Sequence, residues 1–301
     1  MNIHDRSFLT SGEIVKQNPA RIIRRVTDED GVCYYIKHDT PKGFWKRLLA
    51  RIRRKSRSEY KSALLLKKYH IPCIEYVALH EELPESFLVS QELKDHIPAV
   101  AFWEQASPED RERFVRSLCH ILRSLNENHL LHPDFHAGNI MCRENDPDSL
   151  ILIDPFGIRK SFRDPAEQNC GILLSFVQQE EGEKLLREVA PGRDLSWEKL
   201  LADRRSLVAS KWDARQKQIL SGKSKFCRTE CIDGVTFHIR NSSWYTPLPF
   251  TPENCTTETV SPEEGKAVWL DSFHRELMLL PVKRPAAIAW KKDQAILYYD
   301  L

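Results

Sequence analysis

No run in this 301-residue sequence approaches the roughly 18 consecutive apolar residues that a membrane-spanning helix needs. The first residues, MNIHDRSFLTSGEIVKQ, lack the apolar core of a secretory signal. The eight cysteines are scattered and none stands in a CxxC pair; Cys227 and Cys231 have no second ligand pair beside them. Free thiols in a reducing, cytoplasmic compartment are therefore expected, and structural zinc is not. Zinc-finger spacing and the aromatic strand motif of RNA-binding sheets are also missing, so nucleic acid is not an expected partner. What is present is ordinary: 41% hydrophobic and 29% charged residues, in a length that fits one large domain or two smaller ones with ample core.

The net charge of +2 hides an uneven distribution. Residues 42–61, KGFWKRLLARIRRKSRSEYK, hold nine Lys or Arg and a single acid, Glu59. Phe44, Trp45, Leu48, Leu49 and Ile52 recur at three- and four-residue steps, which predicts an amphipathic basic helix. Such a helix either packs its apolar stripe inward and solvates its charges, or is drawn to phosphate, whether on an anionic lipid surface, on a phosphorylated glycan or on nucleic acid.

Before this helix, RIIRRV and GVCYYIKH read as a hairpin turning between Asp28 and Gly31. The helix is expected over about 45–69, with further strands in IPCIEYVALHE and SFLVSQEL. From Ser107 onward the periodicity becomes helical, with Phe114, Leu118, Ile121, Leu122 and Leu125 on one face and Ser107–Asp110 close to a capping box. That helix leads directly into HLLHPDFHAGNIM, followed by a short strand around 139–142, a turn in ENDPDS and the strand LILI ending at Asp154. If the two strands pair, Asp134, Asn139 and Asp154 converge. Asp154 carboxylate and Asn139 carbonyl oxygens suit Mg²⁺ on ATP phosphates. Asp134 is placed to orient a hydroxyl and accept its proton, with Lys37 reaching the phosphates and Glu59 holding Lys37.

The order Lys37, Glu59, HPDFHAGN, IDPFG resembles the protein-kinase-like fold. More narrowly, His132, Asp134, His136, Gly138 and Asn139, with YYIKH and SEYKSALLLKKYHIP, resemble the lipopolysaccharide kinases that phosphorylate Kdo or heptose. The resemblance covers roughly residues 20–175. It implies a bilobal α+β fold, with a small antiparallel-sheet lobe over 1–93, a larger mainly helical lobe with its core over 94–220, and an extension or accessory module over 221–301. It implies ATP and Mg²⁺ as cofactors and, as acceptor, a sugar hydroxyl of the lipopolysaccharide core glycolipid at the cytoplasmic face of the inner membrane. Residue by residue, it makes Asp134 the catalytic aspartate and His136 a loop-orienting or phosphate-meeting partner. Lys37 and Glu59 become the nucleotide clamp, Gln91 to Leu93 the adenine-binding hinge, Asn139 and Asp154 the metal ligands, and His132 a packing residue.

Two departures from that pattern stand out. GEIVKQNPARII has no GxGxxG for the nucleotide phosphates, and Pro155 is inserted between Asp154 and Phe156–Gly157. The runner-up readings are a small-molecule kinase of the same fold, for an aminoglycoside or sugar, and a noncatalytic kinase-fold binding protein. Downstream, 162–189 predicts one helix or two with Asp164 as a cap, and 195–220 predicts another helical stretch. GVTFHIR, SSWYTPLPF and AAIAWKKDQAILYYD predict short strands.

Overall fold

The computed structural model describes residues 5–18, 20–45, 48, 54–241 and 249–300, which fall into two compact units, Met1–Ser196 and Trp197–Leu301. The first opens on a short helix, α1 (Arg6–Thr10), and a meander of three strands: β1 (Glu13–Asn18), β2 (Arg21–Thr27) and β3 (Cys33–Asp39). The expected hairpin is β2–β3, in which Arg25 faces Tyr35. Its turn is tied by the Asp28 carboxylate, which accepts from the amides of Asp30 at 3.0 Å and Val32 at 2.8 Å. β1, within the segment that lacks GxGxxG, is a strand paired with β2.

Helix α2 (Lys55–Lys68) follows, then β4 (Tyr76–Glu82) and β5 (Glu85–Gln91). The five strands form one antiparallel sheet in the order β1-β2-β3-β5-β4. The helix predicted from about 45 is helical at 44, 45 and 48 and again from Lys55; 46, 47 and 49–53, which include Leu49 and Ile52, lie outside the described residues. The buried stripe of α2 is Ser56, Glu59, Ser62, Ala63 and Leu66, a largely polar face. Such a face is stable only if its polar groups find partners.

Beyond β6 (His96–Pro98) and α3 (Ala99–Gln105), α4 (Pro108–Glu127) buries the predicted face Phe114, Leu118, Ile121, Leu122 and Leu125. Ser107 caps it, accepting from the Asp110 amide at 3.1 Å and donating to the Asp110 carboxylate at 2.9 Å. The chain then runs through β7 (Leu130–Leu131), β8 (Ile140–Arg143), β9 (Asp146–Leu152) and β10 (Arg159–Lys160). Residues 162–189 form two helices, α5 (Ala166–Cys170) and α6 (Gln179–Val189). The Asp164 carboxylate accepts from the Ala166 amide at 3.1 Å, as its capping position predicts.

The second unit contains α7 (Trp197–Ser210), α8 (Trp212–Leu220), β11 (Cys227–Ile232), β12 (Val235–Arg240), β13 (Cys255–Val260), α9 (Pro262–Leu277), β14 (Ala287–Trp290) and β15 (Ala295–Asp300). Its antiparallel sheet has the order β11-β12-β14-β15-β13. The unit begins at Trp197 rather than at 221, where the sequence placed the extension. Val208 of α7 and Ile219 of α8 pack in one core with Phe226, Trp269, Phe273 and Leu297, so these helices share the core of the strands. Buried Arg240 is held there by Glu276, Ser272 and the Pro285 carbonyl, 3.0 Å away, with its guanidinium 3.6 Å from the Phe273 ring centroid. Of SSWYTPLPF, residues 242–248 lie outside the described residues. Among the described residues no helix is long and apolar enough to cross a membrane, and the cysteines are free thiols.

Candidate active site

Lys37 sits on β3 between Ile36 and His38 in a buried run. Its ammonium donates to Glu59 Oε1 at 2.6 Å and makes a second, shorter contact with Asp154 Oδ1. Glu59 is completely buried on the inner stripe of α2, and its carboxylate receives three donors. Besides Lys37 these are the Tyr76 hydroxyl at 2.5 Å and Arg21 Nη1 at 3.0 Å. The polar inner face of α2 is thereby accounted for: a buried carboxylate is tolerable when charged and hydrogen-bonding partners surround it.

Arg21 is the residue that sequence reasoning missed. It reaches Glu59 with one nitrogen and grips Asp39 with two others, at 2.6 and 3.0 Å, while Ser56 Oγ adds a bond to Asp39 at 2.6 Å. This planar fork spanning two carboxylates suits arginine rather than lysine. Burial pushes the Asp39 carboxyl up, but Arg21 and Ser56 hold it below the usual carboxylate range. Arg21 itself is held firmly cationic: burial opposes its charge, and Asp39 and Glu59 outweigh that. The β-favouring Ile and Val of RIIRRV signalled a strand; they carried no sign that one arginine of the run points inward.

Asp134 and Asp154 are brought near each other by pairing on both sides of their loops. Residues 132–139 connect β7 to β8, and 153–158 connect β9 to β10. β8 pairs with β9, Ile140 opposite Leu152, and β7 pairs with β10, Leu131 opposite Arg159. The two loops therefore face each other. The Ile153 amide donates to the Asn139 carbonyl at 2.9 Å, and the Asn139 side-chain amide donates to the Asp134 carbonyl at 2.9 Å. That leaves the Asn139 side-chain oxygen free to accept.

Asp154 adopts a left-handed backbone, φ +52°, uncommon outside glycine and favoured for Asp over bulkier residues. Burial raises its carboxyl pKa, but Lys37, with Arg21 and Glu59 behind it, brings it below the usual value, so Asp154 is a carboxylate at neutral pH. Gly157 is also left-handed, φ +82°, and a Cβ there would lie 3.1 Å from Pro133 of the facing loop. Both the turn and the close approach call for glycine.

The Asp134 side chain is 77% exposed and forms no hydrogen bond among the described residues; His136 Nε2 lies 3.8 Å from its carboxylate. His136 Nδ1 accepts from the Gly138 amide at 3.1 Å, which shapes the loop. His132 is fully buried, stacked on Phe135 with ring centroids 4.9 Å apart. Its backbone amide is fixed by Asn169 Oδ1 at 3.1 Å, and Asn169 in turn donates to Asn126 Oδ1 at 3.1 Å and to the Leu130 carbonyl at 2.8 Å. This buried amide pair anchors the loop from α4 and α5, and no local pattern in the sequence revealed it. Gln91 ends β5 opposite Tyr34, and Leu93 lies two residues further on, half-buried. Neither hydrogen-bonds to Lys37, Glu59, Asn139 or Asp154 among the described residues. Between them, the Glu92 amide donates to the Cys33 carbonyl at 2.8 Å and its carboxylate is gripped by Arg25 at 2.8 and 3.0 Å.

Burial holds the His132 imidazole down at about 4, from an ordinary 6.5, so it is neutral in the folded protein. Below 6.5 the unfolded chain takes up a proton that the folded one refuses until about 4. Stability is therefore lost as pH falls through that interval, by about 3 kcal/mol from this residue. In His132→Phe, which retains the ring, urea unfolding should show a drop between those pH values smaller by about that amount. Parallel pH profiles for parent and variant would remove His132 as the cause.

Comparison with known proteins finds no family model and no curated protein that matches this chain.

Proposed function

We propose that the first unit is a magnesium-dependent ATP phosphotransferase of the protein-kinase-like fold. Its acceptor is a sugar hydroxyl, Kdo or heptose, of a lipopolysaccharide inner-core glycolipid at the cytoplasmic face of the inner membrane. The observation that carries this reading is the Lys37 ammonium, shared between Glu59, 22 residues away in sequence, and Asp154, 117 residues away. An amine anchored from behind by a buried carboxylate and facing a half-exposed one is placed to exchange the second carboxylate for a phosphate oxygen.

The donor set fits magnesium. Asp154 is ionised, and the Asn139 side-chain oxygen accepts no hydrogen bond among the described residues. Among the described residues no group of three or more His, Cys, Asp or Glu side chains could hold a metal. Mg²⁺ in phosphoryl transfer commonly takes one or two carboxylates and completes its shell with phosphate and water. When bound, it would offset charge on the transferring phosphate. Asp134, whose side chain is open to solvent and forms no hydrogen bond among the described residues, would orient the acceptor hydroxyl and take its proton late in transfer. The backbone of Gln91 and Leu93, at the end of the sheet that carries Lys37, would receive adenine.

The experiment is ATP consumption by the purified protein with core glycolipids, simple sugars and aminoglycosides, with and without Mg²⁺, the phosphate position being read by mass spectrometry. Phosphate on Kdo or heptose is the expected result. Transfer only to an aminoglycoside or free sugar would establish the small-molecule reading, and nucleotide binding without turnover the noncatalytic one.

A further inference from the structure

The aromatic residues ahead of α2 point into solvent rather than into a core: Phe44 is 75% exposed and Trp45 72%, and Leu48 is exposed as well. The excursion that carries them starts and ends at one place, because Asp39, the last residue of β3, accepts from Ser56 in the first turn of α2. A second segment with the same character begins two residues after Asp154. Phe156 is exposed and Phe162 fully so, with exposed Arg159, Lys160 and Arg163 around them. This segment lies along α2: Phe156 under the Lys55 ammonium at 5.4 Å, the Ile158 carbonyl on Ser62 Oγ at 3.1 Å, and Lys160 over Tyr69 at 5.3 Å. Phe156 therefore sits at the end of α2 from which the first excursion emerges.

Charge separates the basic residues of this region into two groups. Arg54 and Arg57, on the face the sequence marked as basic, are held by Glu81. Lys42, Arg159, Lys160 and Arg163 are exposed and form no ion pair among the described residues, and the nearby acid Asp164 is taken by Arg193 at 2.6 Å.

We propose that the segment bearing Phe44, Trp45 and Leu48 and the segment bearing Phe156 and Phe162 together form a docking surface for an anionic membrane, placing the mouth of the Lys37–Asp154 site against the bilayer. Exposed aromatic side chains, on segments whose Lys and Arg form no ion pair among the described residues, match the interface between headgroups and acyl chains, where rings bury apolar area and cations meet lipid phosphate. Single exposed apolar residues are ordinary on a protein surface, but a cluster with complementary charge is a contact site. Membrane binding itself does not depend on catalysis. That it presents a glycolipid acceptor to Asp134 rests on the phosphotransferase reading above.

The test is sedimentation of the full chain with phosphatidylcholine vesicles, with and without phosphatidylglycerol, at low salt and in the absence of nucleotide. The parent should bind only the anionic vesicles, and added salt should release it. Trp45→Ser/Phe162→Ser should weaken binding by about tenfold or more. Arg159→Glu/Arg163→Glu should weaken it by at least about fivefold for each charge lost. Both variants should bind Mg-ATP as the parent does. Hydrogen exchange of the parent on vesicles should show protection in both segments. No binding by the parent, equal binding by the variants, or protection confined to other regions would overturn the proposal. So would a parent dimer that the aromatic variant makes monomeric, since the face would then join two copies. If vesicle binding holds while no acceptor is ever phosphorylated, the phosphotransferase reading fails and the docking surface stands.

Discussion

Asp134→Asn should lower phosphoryl transfer by about 100-fold or more while nucleotide affinity stays near that of the parent. The asparagine is isosteric and Asp134 is exposed, so little packing changes. The backbone carbonyl that receives the Asn139 side chain is retained, and with it the loop shape. On the proposed phosphotransferase reading, what would be lost is the carboxylate that orients the hydroxyl and accepts its proton, an effect on kcat rather than on nucleotide binding. His136, 3.8 Å from Asp134, is the only neighbouring group that could substitute as a base among the described charged contacts, so the double variant Asp134→Asn/His136→Gln is the control. Single-turnover transfer and calorimetric ATP binding check the split. Parent-like turnover in Asp134→Asn would exclude Asp134 from the chemistry.

Glu59→Ala should be the most damaging change in stability. It strips the buried Lys37 ammonium and the Tyr76 hydroxyl of their shared acceptor and removes one of the carboxylates that Arg21 spans. Removing one member of a buried ion pair commonly costs about 3–5 kcal/mol, and about 4 kcal/mol is expected here because three donors lose a partner at once. Glu59→Gln keeps an acceptor oxygen and should fold better, yet it loses the charge that fixes Lys37, so nucleotide affinity should fall in both variants. Arg21→Met leaves Glu59 two of its three donors and should fall between parent and Glu59→Ala. Urea unfolding and Mg-ATP titration measure the two effects. A Glu59→Ala protein as stable as the parent, with unchanged ATP affinity, would mean that the buried network neither supports the fold nor sets the clamp.

The sequence by itself determined those features whose causes lie within a few residues. The β2–β3 hairpin follows from Asp28 and Gly31, and the start of α4 from Ser107 and Asp110. The inner face of α4 follows from apolar spacing, and the position of Asp154 from the apolar run that ends before it. The juxtaposition of Lys37 with Glu59 was legible only through the order of motifs and the resemblance it carries. Tertiary structure alone decided the rest. Arg21 meets Glu59 across 38 residues and Asn169 meets Asn126 across 43, and neither partner leaves a periodic trace in the chain. The side chains at 44, 45 and 48 have helical spacing whether they face a core or water; only the packing around them shows water. Arg54 and Arg57 look like free charges until Glu81 is placed beside them by β4. The boundary before Trp197 was hidden for the same reason. Helical periodicity states that a face is buried, while which core buries it depends on strands that come later in the chain.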